Sequence, residues 1–158
     1  MKNIDDTAAA SGKAASQFAA LCYKVTKKQG TRVLLITSRD TGRWVIPKGW
    51  PIKGKSESEA AAIEAFEEAG AKGYLCPDCA GLFTYDKVMN DGSKQPVVVS
   101  VFPMEVDRLV SEFPEKGQRK RKWFSPKKAA ARVDEPELRD LLAGFDPTEL
   151  HCPRPGKA

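Results

Sequence analysis

No apolar run in this chain of 158 residues approaches the roughly 20 residues that a membrane-spanning helix requires. Residues 1–16 lack the charged head and continuous apolar centre of a secretory signal; Asp5 and Asp6 stand there among scattered Ala, Ser and Gly. The expectation is a flexible N-terminal arm and a cytoplasmic protein. Histidine is almost missing: His151, in a proline-containing tail, is the single example. Cysteine is scarce as well. Of Cys22, Cys76, Cys79 and Cys152, only Cys76-Pro77-Asp78-Cys79 forms a C-x-x-C. A structural zinc site takes four ligands, usually from two such pairs, and the other candidates here are distant in sequence. The pair also lacks the βαβ start of a thioredoxin-like site, so free thiols in a strand or turn are expected. Neither an internal repeat nor a linker suggests a domain boundary.

What the chain does have is enough apolar residue, 41%, to bury a core. The expected organisation is an arm over residues 1–16, one globular domain over residues 17–145 and an irregular tail over residues 146–158. The net charge of +5 is unevenly placed. Residues 39–55 carry five basic side chains and one acidic, and residues 116–128 carry seven basic and no acidic. Such clusters suit an anionic partner, a polyphosphate or a nucleic acid.

Periodicity and turn signals outline the elements. Residues 17–25 and 31–37 read as strands joined at Lys27-Lys28-Gln29-Gly30, with a short third strand over 43–46 closed by Pro47. A loop over 48–55 leads to Ser56, which with Glu59 forms a capping-box signature. The helix that follows ends at Gly70, a C-terminal stop. Residues 74–89 and 95–106 read as two long strands around the turn Asn90-Asp91-Gly92, and residues 107–112 as a helical turn. A short strand over 120–124, a helix over 126–132 with proline at its first position and a last helix near 136–143 complete the list. The order is mixed, which predicts an α+β fold, a mixed sheet flanked by helices.

The most informative segment is Glu64-Ala65-Phe66-Glu67-Glu68-Ala69-Gly70. Carboxylates at i, i+3 and i+4 share one helix face and repel each other. A hard divalent cation removes that repulsion, because Mg2+ takes carboxylate oxygens. A metal held this way points to chemistry on phosphates.

From Gly49 the chain reads G-W-P-I-K-G-K-S-E-S-E-A-A-A-I-E-A-F-E-E-A-G-A. This resembles the Nudix box, G-x5-E-x7-R-E-U-x-E-E-x-G-U with U apolar. Gly49, Glu64, Ala65, Glu67, Glu68, Gly70 and Ala71 fall in register. Lys55 and Ile63 stand where the family has the Glu and Arg of an ion pair. Both halves are replaced together, so no charge is left without its partner. Residues 38–47 and Arg119-Lys120-Arg121-Lys122-Trp123-Phe124 look like the diphosphoinositol polyphosphate phosphohydrolase branch, which also takes diadenosine polyphosphates. Pro47-Lys48-Gly49 instead resembles the diadenosine tetraphosphate hydrolases.

The resemblance implies an α/β/α sandwich of the Nudix type and divalent-metal-dependent hydrolysis of a diphosphate linkage in a polyphosphorylated small molecule. Mg2+ or Mn2+ would be held by Glu64, Glu67, Glu68 and the backbone carbonyl of Lys48. Glu67 or Glu64 would act as the base, and Glu115 is a candidate for one more acidic ligand. Arg39, Arg43, Lys48, Lys53 and Lys55 would hold outer phosphates. Arg119 and Arg121, two apart on a strand and so on one face, would add bidentate contacts. Trp44 is read as core, and Tyr85 with Asp86 as possible pocket edges. The alternatives are a non-catalytic polyphosphate-binding regulator and an RNA 5′-end pyrophosphohydrolase. The expected partner is an anionic small molecule, with nucleic acid less favoured and no membrane. The sequence leaves the oligomeric state open.

Overall fold

The computed structural model describes residues 14–152. Its strands are β1 (Ala15–Thr26), β2 (Gly30–Thr37), β3 (Trp44–Val45), β4 (Lys48–Gly49), β5 (Ala71–Leu75), β6 (Gly81–Val88), β7 (Lys94–Leu109) and β8 (Arg121–Phe124). The helices are α1 (Glu57–Ala69), α2 (Pro126–Arg132) and α3 (Pro136–Ala143), followed by a 3-10 turn at Pro147–Glu149. The mixed sheet flanked by helices is the α+β architecture expected from the sequence. No helix among the described residues is long and apolar enough to cross a membrane.

The long strands β1 and β7 run parallel through the centre, in register from Ala15 opposite Val97 to Tyr23 opposite Glu105. All other pairings are antiparallel. β2 lies on β1 and carries β3 and β8, β4 bridges to β1 at Phe18 and Ala19, and β5 and β6 both pair with β7.

Strand alternation sorts the core into two layers. Ala19 and Leu21 of β1, Val33 and Leu35 of β2 and Val97, Val99 and Val101 of β7 pack with Ala129, Leu138 and Leu142 of α2 and α3. Phe18, Ala20, Cys22, Leu34, Ile36, Phe102 and Met104 face the other way, against Ala60, Ala61, Ala65 and Ala69 of α1. Alanines on the buried face of α1 bring its backbone close to the sheet, and that closeness places its carboxylates on the sheet edge. Trp44 packs on the first core, edge-on to Phe124 at 5.2 Å, as expected of a core residue.

Local signals set the ends of α1 as the sequence predicts. The Ser56 side chain accepts from the Glu59 N–H at 3.2 Å, and the Ser56 N–H donates to Glu59 Oε1 at 2.8 Å. The Ser56 N–H, donated to the carboxylate, is the first cause that holds the Glu59 carboxyl below its usual range. Gly70 ends the helix in the left-handed region, φ 66°, where a side chain would be strained.

Three expectations are corrected. The segment read as one strand over 74–89 is two strands, because the turn over residues 76–80 contains Pro77 and breaks the ladder. Residues 107–109 are not helical; they extend β7, with Ala71 opposite Leu109. β1 begins at Ala15, inside the segment read as an arm, and residues 1–13 of that arm and residues 153–158 of the tail lie outside the described residues.

Candidate active site

Glu64 and Glu68 are four residues apart on α1, and both are nearly buried, 9% and 8% exposed. Glu67 lies beside them and is more open. All three line a cleft of about 250 Å³ at the edge where β4 meets α1. Gly49 forms its floor. A Cβ there would overlap the Glu64 carboxylate, so the loop approaches α1 as closely as it does only because this residue is glycine.

The electrostatics of this floor are unusual. Burial pushes the Glu68 carboxyl up to about 8, opposed by the guanidinium of Arg119 and reinforced by a hydrogen bond and charge from Glu64. Two neighbouring carboxyls out of water share a proton or take a cation. The Lys48 N–H points at Glu68 Oε1, 3.4 Å away. Its own ammonium is also held below the usual lysine range, first by burial and against the pull of Glu68. The Lys48 Nζ stands 5.0 Å over the Tyr85 ring, and the Tyr85 hydroxyl donates to Gln17 Oε1 at 2.6 Å.

A divalent cation fits this donor set. Three carboxylates line one cleft, two of them neighbouring and poorly hydrated, and a glycine keeps the space beside them clear. Glu64, Glu67 and Glu68, with the Lys48 carbonyl that the box resemblance implies, are the groups that would hold it.

The cationic wall is Arg119. Its side chain is only 11% exposed. Its Nε donates to Glu115 Oε1 at 2.9 Å and its Nη1 to the Thr37 carbonyl at 3.1 Å, while its Nη2 lies 3.8 Å from Glu68 Oε1. Glu115 lines the cleft too, because its own N–H donates to the Glu67 carbonyl and docks the 113–118 loop on the end of α1. Arg39 stands at the mouth, 56% exposed, donating to Gln118 Oε1 at 3.1 Å.

The other basic candidates go elsewhere. The Arg121 guanidinium donates to the carbonyls of Ala69 at 2.7 Å and Val110 at 3.0 Å, which ties the C-terminus of α1 to the end of β7. The strand placement expected for both arginines is corrected: β8 begins at Arg121, Arg119 lies in the bend before it, and Arg121 does not line the cleft. Arg43 forms an ion pair with Glu135 at 2.8 Å and a longer one with Asp134 at 3.7 Å. Lys53 and Lys55 are exposed and lie outside the cleft lining. Where Lys55 and Ile63 replace the Glu and Arg of the box, other contacts hold this loop. Ile52 packs on the α1-side core, the Lys55 N–H donates to the Ile52 carbonyl at 3.0 Å, and the capping box follows directly.

The cleft also contains residues the sequence reading left out: Gln17, Ser38, Asp40, Trp50 and Lys87. Lys87 lies 5.9 Å over the Trp50 ring. Tyr85, expected as a possible edge, does line the cleft, whereas Asp86 points to a separate hollow with Pro96 and Val98. Alternation along β6 was the available signal for Lys87, since it shares the face of Tyr85.

Known proteins resemble this chain in sequence and in fold. The NUDIX domain family model matches residues 15–145. The chain is 33% identical over 107 residues to Nudix hydrolase 13, mitochondrial, of Arabidopsis thaliana, covering 62% of this chain and 51% of that protein. It spans about half to two thirds of the length of the curated relatives it matches. Among solved structures, the dihydroneopterin triphosphate pyrophosphohydrolase of E. coli matches with a TM-score of 0.63 at 20% identity, covering 84% of this chain and 97% of that one. The Ap4A hydrolase of C. elegans matches with a TM-score of 0.58 at 21% identity, covering 82% and 94%. With that model matched over nearly all the described residues and the box carboxylates gathered in one cleft, the chain belongs to the Nudix family.

Proposed function

We propose that this chain hydrolyses a diphosphate linkage in a polyphosphorylated small molecule, of the inositol pyrophosphate or dinucleoside polyphosphate type, with Mg2+ or Mn2+ as cofactor. The observation that carries this reading is that Glu64, Glu67 and Glu68 line one cleft that also presents Arg39, Lys48, Lys87 and Arg119. Acidic groups alone would repel a phosphate chain and basic groups alone would bind it without reaction; the two together suit an anionic substrate and a cation between them. The catalytic unit is residues 17–145.

A cation held by Glu64, Glu67, Glu68 and the Lys48 carbonyl would neutralise phosphate charge and acidify bound water. The side chains do the rest. Glu67, the most open of the three, accepts the proton of the attacking water, with Glu64 the other candidate. Arg119 is fixed before substrate arrives by Glu115 and the Thr37 carbonyl, so its charge acts without reorganisation. Arg39 and Lys87 meet the outer phosphates, and Trp50 and Tyr85 give the attached group apolar surface. Lys53 and Lys55 lie outside the cleft and act at most as a distant positive field. The resemblance of residues 38–47 and 119–124 to the diphosphoinositol polyphosphate branch supports the substrate class.

The test is a panel of inositol pyrophosphates, dinucleoside polyphosphates, nucleoside triphosphates and nucleotide sugars, with products identified by phosphorus NMR. Turnover should concentrate in the first two classes, require Mg2+ or Mn2+, and be lost in Glu64→Gln and in Glu68→Gln. Retained turnover in both variants removes the mechanism. Tight binding with no turnover anywhere on the panel would make the chain a polyphosphate-binding regulator.

A further inference from the structure

Away from the cleft, the turn between β5 and β6 gathers groups that the hydrolysis does not use. Cys76 is buried at the end of β5, where its N–H donates to the Pro103 carbonyl at 2.8 Å. The chain returns 76 residues later to place Cys152 against it, Cα to Cα 5.3 Å, and the two are paired as a disulfide, which corrects the expectation of free thiols because the fold brings together two cysteines remote in sequence. The Cys152 Sγ lies 3.8 Å from Asp78 Oδ2. The Sγ atoms of Cys76 and Cys152 and an Asp78 carboxylate oxygen all fall within 4.8 Å of one another. Cys79, the second sulfur of the C-x-x-C, is exposed on the same turn, with its Sγ 3.2 Å from the Gly81 carbonyl.

We propose that, when reduced, this corner is a structural site for a thiophilic divalent cation of the zinc class, with ligands from Cys76, Cys79, Cys152 and Asp78. The proposal is independent of the hydrolase reading. Sequence spacing alone offered only half of a zinc site; the fold supplies the third sulfur and the carboxylate. A C-x-x-C turn lets both of its sulfurs reach one ion, and rotation of the exposed Cys79 side chain brings it inward. Three thiolates favour zinc over the oxygen-seeking Mg2+ of the cleft. Reduction of Cys76–Cys152 by two equivalents of a glutathione-class thiol yields two cysteine thiols and the oxidised small-molecule disulfide. Binding then releases the thiol protons as the sulfurs coordinate. The loaded site pins the segment after α3 onto the turn that precedes β6, the strand bearing Tyr85 and Lys87.

The test uses the full chain purified with reductant and without chelator, supplied with Zn2+, desalted, and measured for metal content and for thiols reactive to a water-soluble reagent in the native state. The expected result is about one zinc per chain, with no reactive thiol until a chelator is added, after which Cys76, Cys79 and Cys152 react. Cys22 stays silent throughout because it is fully buried in the α1-side core. Cys79→Ser changes an exposed residue and should abolish zinc retention while leaving the fold intact; Cys152→Ser should do the same. Absence of zinc in the reduced protein would overturn the proposal. So would immediate reaction of Cys79 in a chain that keeps the Cys76–Cys152 disulfide under reductant, or zinc retained in both variants.

Discussion

Arg119 and Arg121 stand two residues apart, the first in the bend before β8 and the second at its start, both against the same end of α1, yet they serve different parts of the molecule. Arg119 keeps its guanidinium on the cleft, within 3.8 Å of Glu68, braced by Glu115 and the Thr37 carbonyl. Arg121 turns to the helix end and satisfies the Ala69 and Val110 carbonyls. The last turn of α1 has no basic residue of its own, so Arg121 supplies the positive charge that a helix C-terminus favours. The same split runs through the other basic stretch. Arg39 and Lys48 reach the cleft, Arg43 is engaged by Glu135, and Lys53 and Lys55 stay in solvent. Local charge density therefore says that an anion is welcome near this surface, while the hydrogen-bond partner of each guanidinium decides which cations are available to it.

Substitutions would sharpen that contrast, the largest effect coming from the cleft floor. Gly49→Ala places a methyl on the Glu64 carboxylate, so a chain that still folds by circular dichroism should lose divalent-cation binding and turnover together. Arg119→Ala removes a fixed charge from the reacting groups and should lower kcat/KM by about 10²–10³. Its KM for a substrate with fewer phosphates should change less than its kcat.

Arg121→Ala is the opposite experiment. It orphans two carbonyls that accept charge-assisted hydrogen bonds, and should cost about 1.5–3 kcal/mol of stability, seen as a lower Tm with kcat nearly unchanged. An Arg121→Ala protein of normal Tm and crippled turnover would reverse the assignment of the two arginines.

The pH dependence follows from Glu68. Its carboxyl is raised from 4.5 to about 8 in the fold, so between those values the folded chain holds a proton that the unfolded chain has released. Stability of the metal-free protein should therefore fall as pH rises from about 4.5 to about 8, and level off above. Lys48, shifted down by burial, acts in the opposite sense, on the alkaline side. A saturating divalent cation displaces the Glu68 proton and should flatten the slope, which thermal unfolding with and without Mg2+ would show. Smallest of all, Lys53→Ala and Lys55→Ala should change stability by less than about 0.5 kcal/mol and leave kcat/KM within a factor of about 2, because a screened, exposed charge contributes little.

Much of this was legible in the sequence wherever the signal was local. Ser56, Glu59 and Gly70 announce both ends of α1, and the spacing of Glu64, Glu67 and Glu68 announces a shared face; the fold realises each. What escaped depends on pairing across the chain. Residues 74–89 have the composition of one strand, and only the two separate registers on β7 reveal that Pro77 divides it. Residues 107–109 continue as strand because Ala71 and Lys72 pair with them, a contact no window around Asp107 contains. Lys87, on β6, and Trp50, in the loop after β4, meet across the cleft from segments far apart in sequence. Arg121 looked like a phosphate ligand because nothing near it in sequence shows that the carbonyls of Ala69 and Val110 take its donors.

The most direct test of the account is Mn2+ binding followed by electron paramagnetic resonance, comparing the wild-type chain with Glu64→Gln, Glu68→Gln and Arg121→Ala. The account predicts a protein-bound Mn2+ signal in the wild type and in Arg121→Ala, with affinity lowered at least about tenfold in either glutamate variant, since each removes one charged ligand from the site. Undiminished binding in both glutamate variants, or no binding in the wild type at any accessible concentration, would contradict it.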